Sequence, residues 1–60
     1  MMAIAGGLAQ WDWQLNRYYA VLIDGREVYS TRIDDFADMV GGLTAEERQD
    51  LLDIKAYSEG

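Results

Sequence analysis

The dipeptide Asp24-Gly25 lies between two β-rich runs, Tyr18-Tyr19-Ala20-Val21-Leu22-Ile23 and Arg26-Glu27-Val28-Tyr29-Ser30-Thr31-Arg32-Ile33. No other feature restricts the fold as much. Asp-Gly in that setting signals a hairpin, because both loop positions of a tight type I′ turn need positive φ. A two-residue loop at Asp24-Gly25 pairs Ile23 with Arg26, Val21 with Val28 and Tyr19 with Ser30. One face of the hairpin then carries Tyr19, Val21, Ile23 and Val28. The other carries Tyr18, Ala20, Leu22, Tyr29, Thr31 and Ile33. Both faces have apolar content, so one is expected to pack on helices and the other to meet a partner or a second copy.

Upstream, Trp11-Asp12-Trp13-Gln14-Leu15 alternates apolar and polar, which is the period of a strand. Asn16-Arg17 would turn it back and extend the hairpin to a three-stranded meander. A helix from about Ala3 to Leu15 competes, with Ile4, Leu8, Trp11 and Leu15 on one stripe. Gly6 and Gly7 weaken that alternative by roughly 1 kcal/mol each relative to alanine. After Ile33 the period changes. Asp34 or Asp35 caps a short helix whose inner face is Phe36, Ala37, Met39 and Val40, ended by Gly41-Gly42. Thr44 and Glu47 then form a capping box that starts a second helix running to about Tyr57. That helix offers Leu51, Leu52, Ile54 and Ala56 for packing. The expected fold is α+β: a two- or three-stranded antiparallel sheet packed by two C-terminal helices. Its core is expected to draw on Val21, Ile23, Val28, Phe36, Val40, Leu51 and Leu52, with Trp11 or Trp13 closing an edge.

Sixty residues make one small domain, residues 1–60, with a thin stability margin. Cysteine and histidine are both absent, so disulfides and the usual zinc or thiolate sites are excluded. Self-association or a partner is left as reinforcement. Half the residues are hydrophobic, too many for a disordered acidic tail. No Lys or Arg precedes the apolar stretch Met1–Ala9, and nothing approaches the ~20 apolar residues of a membrane span. A cytoplasmic protein is expected.

The composition also excludes chemistries. Without His or Cys, the commonest general base and the thiol nucleophile are missing, and no hydroxyl has an evident activating partner. No catalytic residue, metal site or cofactor is assigned. The acids do not follow the spacing of a calcium-binding EF-hand loop. Trp11, Trp13 and the tyrosines could stack on bases, but five scattered bases form no stripe for phosphates.

Charge is the feature that speaks of a partner. Residues 1–33 carry Asp12, Asp24 and Glu27 against Arg17, Arg26 and Arg32, which cancel. Residues 34–60 carry Asp34, Asp35, Asp38, Glu46, Glu47, Asp50, Asp53 and Glu59 against Arg48 and Lys55, so the whole net charge of −6 lies there. Such a field attracts basic surfaces and repels nucleic acid and anionic membranes. On the second helix Glu46, Asp50 and Asp53 fall at i, i+4 and i+7, with neighbours about 5–6 Å apart. Phosphates along one nucleic-acid strand have a similar pitch, from about 3.4 Å of axis per charge plus sideways winding. Asp34, Asp35 and Asp38 add a second cluster. The plainer account is a solvated helix face that keeps a small protein soluble. Against it, most solvated faces mix signs, and this one does not.

In its shortness, its acid block from Asp34 to Asp53 and its sheet-plus-helix body around Tyr18–Ile33, the chain resembles the small acidic inhibitors that phages make against host nucleases, including anti-CRISPR proteins. The resemblance implies inhibition of a nucleic-acid-handling complex, by mimicry of nucleic acid or by blocking assembly or conformational change. It carries over no site residue. The expected function is therefore a non-enzymatic binding protein. Asp34, Asp35, Asp38, Glu46, Glu47, Asp50 and Asp53 would occupy a basic protein surface, with Tyr57, Met39 or a sheet tyrosine as apolar anchors. Two alternatives stand beside it. One is an antitoxin-like neutraliser of a basic toxin. The other is a structural module that forms a homodimer through its sheet, sensitive to changes at Tyr18, Leu22 or Tyr29.

Overall fold

The computed structural model describes residues 1–59, in the order β1 (Met2–Ile4), β2 (Gly7–Asp12), β3 (Arg17–Leu22), β4 (Glu27–Ser30), α1 (Ile33–Met39) and α2 (Ala45–Glu59). The four strands form one antiparallel sheet in the order β1-β2-β3-β4. The fold is α+β, with four strands where two or three were expected.

The Asp24-Gly25 hairpin forms, but its loop is one residue longer than the type I′ turn. Tyr18 lies opposite Ser30, Tyr19 opposite Tyr29, Ala20 opposite Val28 and Val21 opposite Glu27. Leu22 N–H donates to the Arg26 carbonyl at 2.8 Å, and Gly25 N–H donates to the Leu22 carbonyl at 2.9 Å. The loop is Ile23-Asp24-Gly25, with Gly25 at φ 89°. A turn followed by a left-handed glycine is the usual three-residue hairpin. Asp24 does not take the positive φ that a type I′ turn demands; among the described residues Asn16 is the one non-glycine that does. The Asp24 carboxylate instead accepts the Arg26 N–H at 3.1 Å, holding the turn from outside.

That single residue re-sorts the faces, because a one-residue slip moves every side chain of a strand to the other side. Val28 shares a face with Tyr18, Ala20 and Leu22, and Tyr29 shares one with Tyr19 and Val21. Val21 and Ile23 therefore leave the expected core: Val21 is half-buried on the open side and Ile23, at the turn, is 83% exposed.

The alternation around Trp11 does mark a strand, but it begins at Gly7 and stops at Asp12. The Asp12 carboxylate accepts the backbone N–H groups of Gln14 and Leu15 at 3.1 and 3.2 Å, and Asn16 closes the turn at φ 52°. Trp11 is buried, whereas Trp13 sits on the turn and is exposed. The Ala3–Leu15 helix does not form. Gly6 and Gly7 have a positive reason beyond poor helix propensity. A Cβ on Gly6 would stand 2.5 Å from the Val40 carbonyl oxygen, and one on Gly7, at φ 151°, would overlap the Val21 carbonyl. The Ala5-Gly6 turn is thereby pressed between β3 and the end of α1.

Both helices cover the same face of the sheet. Arg32 stands at the N-cap position of α1 with no side-chain cap, so neither Asp34 nor Asp35 caps it; they lie in its first turn. Acids there still complement the helix dipole. At the other end Gly41 N–H donates to the Asp38 carbonyl at 3.2 Å and Gly42 N–H to the Ala37 carbonyl at 2.7 Å. With Gly41 at φ 84°, this is a Schellman stop. The capping box of α2 forms reciprocally: Glu47 N–H donates to Thr44 Oγ1 at 3.0 Å, and Thr44 N–H donates to Glu47 Oε1 at 2.9 Å.

Between sheet and helices lie Ile4, Ala9, Trp11, Tyr18, Ala20, Leu22, Phe36, Val40 and Leu51. Tyr18 meets Trp11 edge-on at 4.8 Å and Phe36 at 5.6 Å between ring centroids. Such aromatic contacts are worth roughly 0.5–1.5 kcal/mol beyond the area they bury. Phe36, Val40 and Leu51 are core residues as expected. Val28, Ile54 and Leu52 are only half-buried, and Met39 and Ala56 are exposed.

Candidate functional site

With the sheet neutral on its sequence and the acids on the helices, the fold determines whether the acids share a surface. Asp34, Asp35, Asp38, Glu46, Asp50 and Asp53 are all exposed. Glu47 is half-buried and its carboxylate is engaged in the capping box, so it belongs to the architecture more than to the surface. Arg48 of α2 reaches the carboxylate of Asp34 on α1. Arg48 is two residues from Glu46 and from Asp50, on the side of α2 away from the Glu46, Asp50, Asp53 row, so the pair ties the two helices together without bringing the α1 acids into that row.

Asp35 faces Arg32 at 3.9 Å, with both side chains largely in water. An ion pair of that kind is worth at most about 1 kcal/mol and leaves the acid available. Asp53 accepts a hydrogen bond from Gln49 at 3.0 Å. Asp38, Glu46 and Asp50 make no ion pair among the described residues. Along α2, Glu46, Asp50, Asp53 and Tyr57 fall at i, i+4, i+7 and i+11, a stripe roughly 16 Å long at 1.5 Å per residue. Tyr57 is 90% exposed at its end. The helical periodicity of the sequence already contains Tyr57 in this row.

Two further features were not legible from the residues. A groove of about 410 Å³ runs between the β3–β4 turn and the C-terminal end of α1, with Ile23 and Met39 as its apolar walls and Asp38 at its rim. It adjoins the α1 acids and makes Met39 one of the exposed apolar groups beside them. The second feature is the open face of the sheet, which carries Leu8, Gln10, Asp12, Arg17, Tyr19, Val21, Glu27 and Tyr29. Its charged groups have neighbours within the face, although, among the described residues, the Arg17 Nε is buried without a hydrogen-bond partner and Glu27 is in no ion pair. The Arg17 guanidinium lies over the Tyr29 ring at 4.0 Å and its Nε is 3.6 Å from Asp12. The Tyr19 hydroxyl donates to Glu27 at 2.5 Å, and that bond is the main cause raising the Tyr19 phenol above its usual range. Tyr18 and Leu22, expected at a dimer surface, lie instead under the helices; Tyr29 alone of those three is on the open side.

Among the described residues, no group of three or more acids converges to hold a metal ion, and no helix is long and apolar enough to cross a membrane. Comparison with known proteins gives no matching family model, curated protein or solved structure.

Proposed function

We propose that the protein is a non-enzymatic inhibitor that docks its acidic helical layer on a basic, nucleic-acid-binding surface of a partner complex, in the manner of an anti-CRISPR protein. The observation that supports this reading is the row on α2. Glu46, Asp50 and Asp53 stand exposed in line along a helix whose start is fixed by a capping box, and among the described residues none of the three is in an ion pair. Acids at this pitch can stand in for the phosphates of one strand. Electrostatics would mainly speed association and set orientation. Affinity comes from apolar anchors at the rim, Tyr57 beside Asp53 and Met39 beside Asp38. A basic toxin is a partner of the same chemistry and would use the same surface.

The test is a tagged pull-down from nuclease-treated bacterial lysate, washed at low and at high salt, with the bound proteins identified by mass spectrometry. The expected result is a nucleic-acid-binding complex that high salt releases and that the folded Glu46→Lys, Asp50→Lys, Asp53→Lys variant no longer captures. Undiminished capture by that variant would sink the proposal.

A further inference from the structure

We propose that Asp24 is a modification site held in check by the hairpin: a carboxyl placed to cyclise onto the next amide and isomerise to isoaspartate, with Arg26 as its guard. Asp24-Gly25 is the one Asp-Gly pair of the chain. Glycine has no side chain to shield the amide nitrogen that follows the aspartate, so cyclisation meets least hindrance at such a pair. The turn itself requires both residues. Gly25 sits at φ 89°, and the Asp24 carboxylate holds the Arg26 N–H.

In the reaction, the Gly25 amide nitrogen attacks the side-chain carboxyl carbon of Asp24. The new N–C bond closes a five-membered succinimide ring and the carboxyl C–O bond breaks. The hydroxyl of the protonated carboxyl leaves with the amide proton as one water. Water then adds back at one of the two imide carbonyls. Opening at the side-chain carbonyl restores aspartate, and opening at the main-chain carbonyl gives isoaspartate. Mass is unchanged, and water is the only co-reactant.

Nothing steric opposes this step. A Cβ built on Gly25 would meet no atom within 4 Å among the described residues, and the Asp24 side chain is 57% exposed, so water reaches it. Hydrogen bonds oppose it instead. Gly25 N–H donates to the Leu22 carbonyl at 2.9 Å, which commits the attacking nitrogen to the turn. One oxygen of the Asp24 carboxylate accepts the Arg26 N–H at 3.1 Å, and the other accepts the Arg26 Nε–H at 2.7 Å. Both contacts favour the ionised carboxylate, from which no water can leave. The carboxyl is held below the usual carboxylate range, chiefly by the bond from the Arg26 N–H. Ring closure must break these contacts, so the reaction runs from an opened turn and its rate follows the opened fraction.

Isoaspartate adds one atom to the main chain inside a three-residue loop. The Leu22 N–H bond to the Arg26 carbonyl at 2.8 Å would then misfit, and with it the register that sets Val28 opposite Ala20. The site is independent of the acidic row on α2 and of any partner.

Ageing the full chain in warm, mildly acidic buffer tests the proposal. Tryptic peptides spanning residues 24 and 25 are separated by reversed-phase chromatography, and electron-transfer fragmentation distinguishes isoaspartate from aspartate. The folded chain should accumulate isoaspartate far more slowly than the same chain in guanidinium chloride. Arg26→Gln keeps the backbone donor and removes the guanidinium. It should accelerate the folded reaction by about two- to fivefold, the scale of an exposed ion pair. Arg26→Lys, which keeps the charge and loses the planar donor, should fall between, and it serves if the glutamine variant does not fold. Thr44→Ala loosens the cap of α2 away from the turn and should leave the rate unchanged. A folded chain that isomerises as fast as the unfolded one would overturn the proposal. So would Arg26 variants that react at the parent rate, or a Thr44→Ala rate that rises as much as theirs.

Discussion

The two faces of β3 are made of nearly the same material and do opposite things. On one side Tyr18, Ala20 and Leu22 are buried under α1 and α2; on the other Tyr19 and Val21 lie open, with Ile23 beyond them on the turn. Both sides are aromatic at one end and aliphatic toward the other. What separates them is the position of the helices and the treatment of charge. The inner face holds no charged side chain, whereas the open face holds three, with Arg17 beside Asp12 and over the Tyr29 ring and Glu27 accepting a hydrogen bond from the Tyr19 hydroxyl. The acidic row Glu46, Asp50 and Asp53 lies beyond the inner face, on the exposed side of α2. Hydrophobicity alone therefore does not tell which face of a strand is core.

The comparison breaks most sharply at Leu22 and Ile23, adjacent residues that are 8% and 83% exposed. Leu22→Ala removes packed methyl groups from the core and should cost about 2–5 kcal/mol. A 60-residue domain has only about 3–9 kcal/mol of stability in hand, so much of that variant should be unfolded at ordinary temperature. Ile23→Ala should change stability by no more than about 0.5 kcal/mol. Urea denaturation followed by circular dichroism measures both. Equal losses would mean that the open side is as much a core as the covered side.

A smaller effect sharpens the role of the helices as the cover. Thr44→Ala deletes the side-chain cap of α2 and should cost about 1 kcal/mol, with the loss seen in the global unfolding transition because Leu51 and Ile54 anchor that helix in the core. Asp34→Ala and Asp35→Ala, at the start of α1, should cost less, since neither acts as a cap. If the Thr44 variant frays α2 without moving the global midpoint, the helix covers the sheet without stabilising it.

Much of this fold was legible in the residues, and the failures share one cause. The capping box at Thr44 and Glu47 and the stop at Gly41-Gly42 were readable because each depends on a few neighbouring atoms. The hairpin was readable in kind but misjudged by one residue. Asp-Gly serves both a two-residue and a three-residue loop, and the choice was settled by where Val28 finds its core neighbours. β1 was missed because Met2–Ile4 is too short to show a period, and it is held in place by pairing with β2 and by the tight seating of Gly6 and Gly7. For the candidate site, the row Glu46, Asp50, Asp53 follows from helical spacing and stands in the structure as a row. That Arg48 would bridge to Asp34 depends on how α1 and α2 meet, which no local pattern encodes, whereas the use of Glu47 in the cap already follows from the capping box.

The subtlest contrast lies between Tyr18 and Tyr19, neighbours on opposite faces whose phenols are both held above their usual range for different reasons. For Tyr18 the main cause is burial, with the carboxylate of Glu59 adding to it. For Tyr19 it is the hydrogen bond to Glu27. In each case the folded state favours the neutral phenol. The stability this gives is fully present below the unfolded value of about 10 and is lost as pH rises through the higher folded value. Alkaline titration followed by tyrosinate absorbance should therefore show two late phenols in the folded protein. Glu27→Gln should bring Tyr19 back toward the ordinary range and leave Tyr18 late. Because Tyr19 and Glu27 lie on the open face, that variant should hardly alter stability near neutral pH. If Glu27→Gln moves neither phenol, the Tyr19–Glu27 hydrogen bond does not distinguish the open face, and the contrast between the two sides of β3 reduces to burial alone.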